Sequence, residues 1–218
     1  MRHGARIADV GTDHAHLPIY LCEAGLVSGG VVSDINRGPI ERAKANIHAA
    51  GLSDRLSAVL CDGLSDLEPY APTDILILGM GGELIARILS EAEWICREGI
   101  RLILQPMTHP EEVRAFLFAN GFWVTEERIV KEEKLYQIIV ADYTGVCATA
   151  TAAELLLGPR NLERGGELLC ELCERYLAVF AERKRGKLCA GLDISEEEAM
   201  IALLSDIKNN GGKRDDRS

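Results

Sequence analysis

Short aliphatic and β-branched runs recur along the first two thirds of the chain, at Arg6 to Val10, Gly30 to Ser33, Leu56 to Cys61, Asp74 to Leu78 and Ile100 to Leu104, with helical patterns between them. This alternation predicts a parallel sheet with crossover helices. From Gly38 to Ile47, the residues Ile40, Ala43 and Ile47 fall on one face, Pro39 sits in a first turn and Gly51 supplies a stop, so a helix is expected. Pro110 and Gly121 bracket another, with Val113, Phe116 and Leu117 as its apolar stripe. Phe122 to Val130 and Leu135 to Asp142 then read as strands. The charged Lys131-Glu132-Glu133-Lys134 between them is too short for a crossover helix, so they form an antiparallel hairpin that ends the sheet.

Beyond Gly145 the pattern is helical. Thr151 with Glu154, and Ser195 with Glu198, each fit a capping box, and Gly158-Pro159 ends the first short helix. Leu169, Leu172, Tyr176 and Val179 recur at helical spacing, as do Met200, Leu203, Leu204 and Ile207. Two longer helices forming a hairpin follow from this. The expected organisation is a sheet domain over 1–145 and a helical, coiled-coil-like appendage over 146–218, with a frayed, disordered tail from about Asn209.

The 218 residues, 47% hydrophobic, suffice for one buried α/β core and an appendage. A formal charge of −10 argues against holding nucleic acid by bulk electrostatics, yet a local basic face is compatible with an acidic total. Arg183-Lys184-Arg185-Gly186-Lys187 is the densest basic run and a candidate phosphate contact; the alternative is a solvated helix end favoured by the helix dipole. Of seven cysteines only Cys170 and Cys173 form a C-x-x-C, without a second pair or a neighbouring histidine, so reduced thiols and no metal are expected. The chain starts almost directly on a strand, and no apolar run approaches the roughly 20 residues of a membrane span. The expectation is a cytoplasmic protein with no membrane partner and, lacking a long coiled-coil seam, a monomer.

Ligands of open parallel sheets bind at the carboxyl ends of the strands, where the strand order reverses. After the first strand, Asp9-Val10-Gly11-Thr12-Asp13-His14-Ala15-His16 has one glycine among acids instead of the G-x-G-x-x-G that admits a pyrophosphate. Asp9 and Asp13 suit a cationic ligand end; alternatively, Asp13 and His14 cap the next helix. Asp34 falls where such folds bind ribose hydroxyls, or else is a turn residue before Asn36. Asp62-Gly63 can meet an adenine edge, or form a plain turn. Gly79-Met80-Gly81-Gly82 leads into a helix and lets backbone approach a ligand, or is only a tight strand-to-helix turn. Gln105-Pro106-Met107-Thr108-His109 forms a rim whose amide can read a base edge, with His109 as a helix lead-in.

Ala8-Asp9-Val10-Gly11-Thr12-Asp13-His14-Ala15-His16-Leu17-Pro18, Asn36-Arg37-Gly38-Pro39, Cys61-Asp62-Gly63-Leu64, Gly79-Met80-Gly81-Gly82, Leu104-Gln105-Pro106 and Tyr136-Gln137-Ile138-Ile139, in this order, resemble the bacterial TrmK family, which methylates N1 of adenine 22 in tRNA. The resemblance implies a Rossmann-like class I methyltransferase sheet, S-adenosyl-L-methionine as donor, tRNA as partner and an appended helical hairpin that grips it. It implies that Asp9, Gly11, Asp13 and His14 line the methionine end, Asp34 the ribose, Asp62 and Gly63 the adenine, and Gly79, Met80, Gly81 and Gly82 the sulfonium and incoming base. Asp13, Met80 and Gln105 are the candidate catalytic residues, and Arg183, Lys184, Arg185 and Lys187 the candidate RNA contacts. This chain departs from the family in three ways. Only Met1 to Ala5 precede the first strand where the family has an amphipathic helix, so either the start is truncated or the pocket lacks a wall; Met107 replaces a usual asparagine; and Asp34 replaces a common glutamate. A binding-only relative and a methyltransferase for a small molecule or another RNA are the alternative readings.

Overall fold

The apolar runs become strands β1 (Ala5–Val10), β2 (Val27–Asp34), β3 (Leu56–Leu60), β4 (Asp74–Gly81), β5 (Arg101–Thr108), β6 (Phe122–Lys131) and β7 (Leu135–Tyr143) in the computed structural model, which describes residues 1–211. Their order in the sheet is β3-β2-β1-β4-β5-β7-β6. The first five pair in parallel and β7 runs antiparallel to β5. Helices α1 (His16–Glu23), α2 (Arg37–Ala49), α3 (Gly82–Ser90) and α4 (Pro110–Ala119) fill the crossovers. Ile7, Val31, Ile75 and Leu102 on four successive strands are fully buried, which is why these strands read as apolar runs and not as alternating ones. Leu21 and Cys22 of α1 and Ala43 and Ile47 of α2 join Ile7, Val32 and Leu56 in one core cluster.

The chain winds outward from β1 to β3, then returns to place β4 on the other side of β1. The loops leaving β1 and β4 therefore diverge and leave a crevice above the two strands. At the opposite ends of the strands, arginines fix the sheet. Arg2 Nε donates to the buried Asp74 carboxylate at 2.8 Å, and Arg101 donates to Asp142 at 2.8 and 2.6 Å.

The chain divides into two compact units: Met1–Glu126 with Ile138–Thr149, and Glu127–Gln137 with the chain from Ala150 onward. The sequence boundary after residue 145 leaves the far end of the β6–β7 hairpin with the sheet; the contacts put it with the helices. The buried Glu127 carboxylate accepts the Arg160 backbone N–H at 2.9 Å, the Gln137 amide donates to the Leu156 carbonyl at 3.3 Å, and Lys131 pairs with Glu171.

The second unit contains α5 (Ala152–Leu157), α6 (Pro159–Arg164), α7 (Glu167–Cys189) and α8 (Ser195–Gly211). Thr151 and Glu154 form the expected capping box. Ser195 and Glu198 do not: the Ser195 hydroxyl donates to Asp193 at 2.6 Å and the Glu198 N–H goes to the Ile194 carbonyl. Along α7 the buried stripe passes from Leu169, Leu172 and Cys173 to Phe180, leaving Val179 exposed, contrary to the expected face. Asn209 and Asn210 lie in the last turn of α8, and the rest of that expected tail, 212–218, lies outside the described residues. All seven cysteines are free thiols. Among the described residues no helix is long and apolar enough to cross a membrane, and no three metal-ligating side chains cluster.

Candidate active site

The carboxyl ends of β1 to β4 and the first turns of α3 enclose a cleft of about 210 Å³, walled by Val10, Gly11, Ser33, Asp34, Ile35, Cys61, Asp62, Gly63, Met80, Leu84, Arg87 and Ile88. The loop after β1 is tied to the end of β2, because the Gly11 and Thr12 N–H groups both donate to the Ser33 carbonyl, at 2.8 and 2.9 Å. Gly11 takes φ +79, a conformation that favours glycine, and a Cβ there would meet Met80 Cε, the end of a flexible side chain that would have to shift. Asp9, at 8% exposure, is hydrogen-bonded to the Thr12 side chain, and burial pushes its carboxyl up to about 6. A carboxylate this deep is costly without a cation to face it.

Asp13 lies elsewhere. Its side chain is 64% exposed and paired with Arg42 of α2 and with His14 Nε2, and the Arg42 hydrogen bond holds its carboxyl below the usual carboxylate range. Asn46, one turn further along α2, donates to the His14 carbonyl at 2.9 Å. Asp13 and His14 thus anchor the loop to α2 from outside. Neither caps α1; Thr12 Oγ1 accepts the Ala15 N–H at 3.2 Å at that helix start.

At the β2 end, Asp34 is half-buried, and Oδ1 accepts the Asn36 N–H at 2.7 Å, so Asp34 is both a turn residue and a wall of the cleft. Exposed Ile35 lies beside it. At the β3 end Asp62 stands 3.7 Å from the Arg87 guanidinium of α3, which also pairs with Glu91. The glycines after β4 have separate reasons. Gly79 takes φ +78 at a register break between β4 and β5, and Gly82 lies so close to the His109 and Thr108 carbonyls that a Cβ would not fit. Gln105 on β5 does not point a free carboxamide at the cleft: Oε1 accepts the Gly79 N–H at 2.9 Å and Nε2 donates to Met107 Sδ at 3.2 Å.

Of the residues expected to hold a ligand, Gly11, Asp34, Asp62, Gly63 and Met80 line the cleft, whereas Asp9 lies buried beside it and Asp13, His14, Gly79, Gly81 and Gly82 support it from outside the wall. Sequence reasoning missed Ile35, Leu84, Arg87 and Ile88. The last three share a face of α3 at i, i+3 and i+4 spacing, a signal that periodicity carries but that the glycine motif before it overshadowed. In the second unit, Lys184 pairs with Glu198 at 2.8 Å, Lys187 with Glu197 at 2.6 Å and Arg185 with Glu182, while Arg183 lies over the Phe180 ring. A larger hollow of about 320 Å³ in that unit, between Arg128, Asn161, Arg164 and the start of α7, is built from loop and helix ends and has no strand-end carboxylates.

The family described as TrmK: tRNA (adenine(22)-N(1))-methyltransferase matches residues 7–186. The tRNA (adenine(22)-N(1))-methyltransferase of Bacillus subtilis (strain 168) is 34% identical over 165 residues, 72% of this chain and 68% of that protein. The crystal structure of the B. subtilis M1A22 tRNA methyltransferase TrmK has a TM-score of 0.79 at 28% identity, covering 95% of this chain and 90% of that one. Streptococcus pneumoniae Sp1610, solved in complex with S-adenosyl-L-methionine, has a TM-score of 0.83 at 28% identity, covering 95% of this chain and 94% of that one. The matched segment runs from within β1 through all the later strands and contains every wall residue of the cleft, and the chain belongs to the TrmK family of tRNA (adenine(22)-N(1))-methyltransferases.

Proposed function

We propose that this protein transfers the methyl group of S-adenosyl-L-methionine to N1 of adenine 22 in tRNA. The observation that carries the reading is the cleft at the strand-order switch, with Asp34 and Asp62 at neighbouring strand ends, Asp9 buried beside them, and a single glycine in the β1 loop. A pyrophosphate would face these acids at a cost in repulsion, whereas a donor with ammonium and sulfonium charges is matched by them. The residues therefore fit this cofactor.

Asp9 accepts the ammonium group, Asp34 the ribose hydroxyls and Asp62 the adenine amino group; Ile35 and Leu84 cover the apolar ring faces. When bound, the cofactor supplies an electrophilic methyl carbon, to which the N1 lone pair forms a bond as the carbon–sulfur bond breaks and the neutral thioether leaves. Neutral N1 already carries a lone pair, so no base has to remove a proton before transfer. The protein's task is alignment and exclusion of water. Met80, packed against Gly11, occupies the boundary between the cofactor loop and the β4 loop and orients the reacting centre. Adenine 22 belongs to a structured RNA and is turned out of its stack to react, at a cost of a few kcal/mol.

The helical hairpin supplies the tRNA grip, with the exposed Arg183 and Arg185 as its available cations. With tRNA as substrate, the reaction belongs in the cytoplasm, and one chain holds all the residues assigned here, so a monomer suffices. Incubation with methyl-labelled cofactor and unmodified tRNA, with the product nucleoside identified by mass and by blocked reverse transcription, tests the reading. N1-methyladenosine at position 22, lost in Asp34→Ala, is expected. Cofactor binding without transfer to tRNA would overturn it in favour of a binding protein. Transfer retained after removal of 163–218 would point to a small-molecule substrate.

A further inference from the structure

Gly79 sits where the β4–β5 ladder fails. Leu78 pairs with Gln105 and Met80 with Pro106, but the register breaks between them and leaves Gly79 as an extra residue on β4. A bulged residue has no ladder acceptor for its N–H. The Gln105 side chain fills the gap, with Oε1 2.9 Å from the Gly79 nitrogen. Gly79 N–H can only donate, so the carboxamide oxygen must face it and the NH₂ group must face Met107 Sδ, a weak acceptor, at 3.2 Å. The next residue is Met80, whose methyl group fills the space above Gly11.

Resting on the methyl-transfer reading of this cleft, we propose that Gln105 is a positioning residue: its carboxamide oxygen replaces the ladder acceptor that Gly79 lacks and so fixes Met80 against the cofactor loop. Gln105 is not one of the residues that line the cleft; it acts through one backbone N–H. The bulge leaves the Gly79 N–H without a ladder acceptor, and the Gln105 side chain on the facing strand satisfies it.

The test compares wild type, Gln105→Glu, which keeps an acceptor oxygen at the same reach, and Gln105→Leu, which keeps bulk and loses the acceptor. Gln105→Asn, one methylene shorter, serves in its place if the leucine variant does not fold. Three quantities are read: hydrogen exchange of the Gly79 amide by NMR, cofactor affinity by calorimetry, and the single-turnover rate on unmodified tRNA. The Gly79 amide should be protected in wild type and Gln105→Glu and exchange freely in Gln105→Leu. The leucine variant should bind cofactor about three- to tenfold more weakly and react about ten- to a hundredfold more slowly, as expected for a reacting centre misplaced by a fraction of an ångström, while tRNA affinity stays constant. The glutamate variant should stay within about threefold of wild type on both measures, since its acceptor keeps the loop in place. Unchanged Gly79 protection in Gln105→Leu would overturn the proposal, as would a glutamate variant as slow as the leucine one. Were wild type inactive on tRNA, the functional reading would fall alone, because exchange and cofactor affinity would still uphold or overturn the role of Gln105.

Discussion

Gly11 and Met80 meet across the crevice between β1 and β4, and the space a Cβ on residue 11 would need is already filled by Met80 Cε. Both residues line the cleft, so the fit of this pair sets its shape. Gly11→Ala should weaken cofactor binding at least tenfold, since the new methyl group displaces Met80 and also sits at φ +79, which costs a residue with a side chain roughly 1–2 kcal/mol. In the double variant Gly11→Ala/Met80→Ala the collision is gone and only the backbone strain remains, so part of the affinity should return. Calorimetric titration of the four proteins checks this, and undiminished binding by Gly11→Ala would show that the contact is not what shapes the site.

Asp9 gives the site a pH dependence of definite sign. Burial raises its carboxyl to about 6, above its value of 3.8 in the unfolded chain. Cofactor binding through an ammonium group needs the carboxylate, so affinity should climb as pH rises from about 5 to about 7, with a limiting slope of tenfold per unit below 6. The ligand-free protein should show the opposite trend. A carboxyl whose folded pKa is raised favours folding below about pH 4 and loses that contribution as pH passes 6, a loss on the order of 3 kcal/mol for this shift. Asp9→Asn should bind weakly with a flat profile over the same range and should abolish the stability trend. Binding isotherms and denaturant melts at four pH values separate the two effects.

The sheet was legible because its evidence is local. Buried parallel strands must be apolar on both faces, and Val31-Val32 or Ile75-Leu76-Ile77 advertise this without reference to any other part of the chain. Strand-end acids were legible for the same reason: Asp34 closes β2 and Asp62 stands two residues beyond β3. Asp13 looks equivalent in sequence, yet it faces outward, because Arg42, 29 residues away on α2, lies over that loop and captures it. No periodicity encodes a helix's position above a loop. The bond from Gly79 to Gln105 was not legible for a related cause, since the orphaned N–H that Gln105 serves exists only once β4 and β5 are paired in register. The hairpin end was assigned to the sheet because nothing local to Glu127 or Gln137 announces their partners on α5, α6 and α7.

Gly158 lies against the fully buried Glu127 carboxylate, which accepts the Arg160 N–H near the start of α6. A Cβ at residue 158 would overlap that carboxylate, and its φ of +95 disfavours any side chain. Gly158→Ala should therefore destabilise the second unit by about 2–4 kcal/mol, combining backbone strain with the displacement of a buried charged group. Denaturant unfolding followed by a probe in the helical hairpin measures the loss. A change under about 0.5 kcal/mol would mean that the carboxylate can move aside freely.

The four cations near the end of α7 should separate into two kinds. Lys187 meets Glu197, whose side chain is only 5% exposed, and Lys184 meets Glu198, so these lysines join α7 to the first turn of α8. Hydrogen bonding between Lys187 and Glu197 raises the lysine pKa and lowers the glutamate pKa. The stabilisation from Glu197 is thus present above the normal carboxylate range and fades as pH falls through its lowered pKa, while that from Lys187 is lost only above its raised one. Lys187→Ala should lower the melting temperature of the hairpin at neutral pH, with the deficit shrinking in acid. Arg185 is different: its side chain is 73% exposed and its ion-pair partner among the described residues, Glu182, lies on the same helix face, an arrangement of little net value that a phosphate can displace. Arg185→Ala should leave the melting temperature within about 1 °C and weaken tRNA binding, lowering the slope of log affinity against log salt by about one. Titrations of tRNA at three salt concentrations, beside melts of the same variants, read both quantities. Equal tRNA affinity for Arg185→Ala and wild type at every salt concentration would remove this arginine from the RNA contact and leave the run as a device for holding the hairpin together.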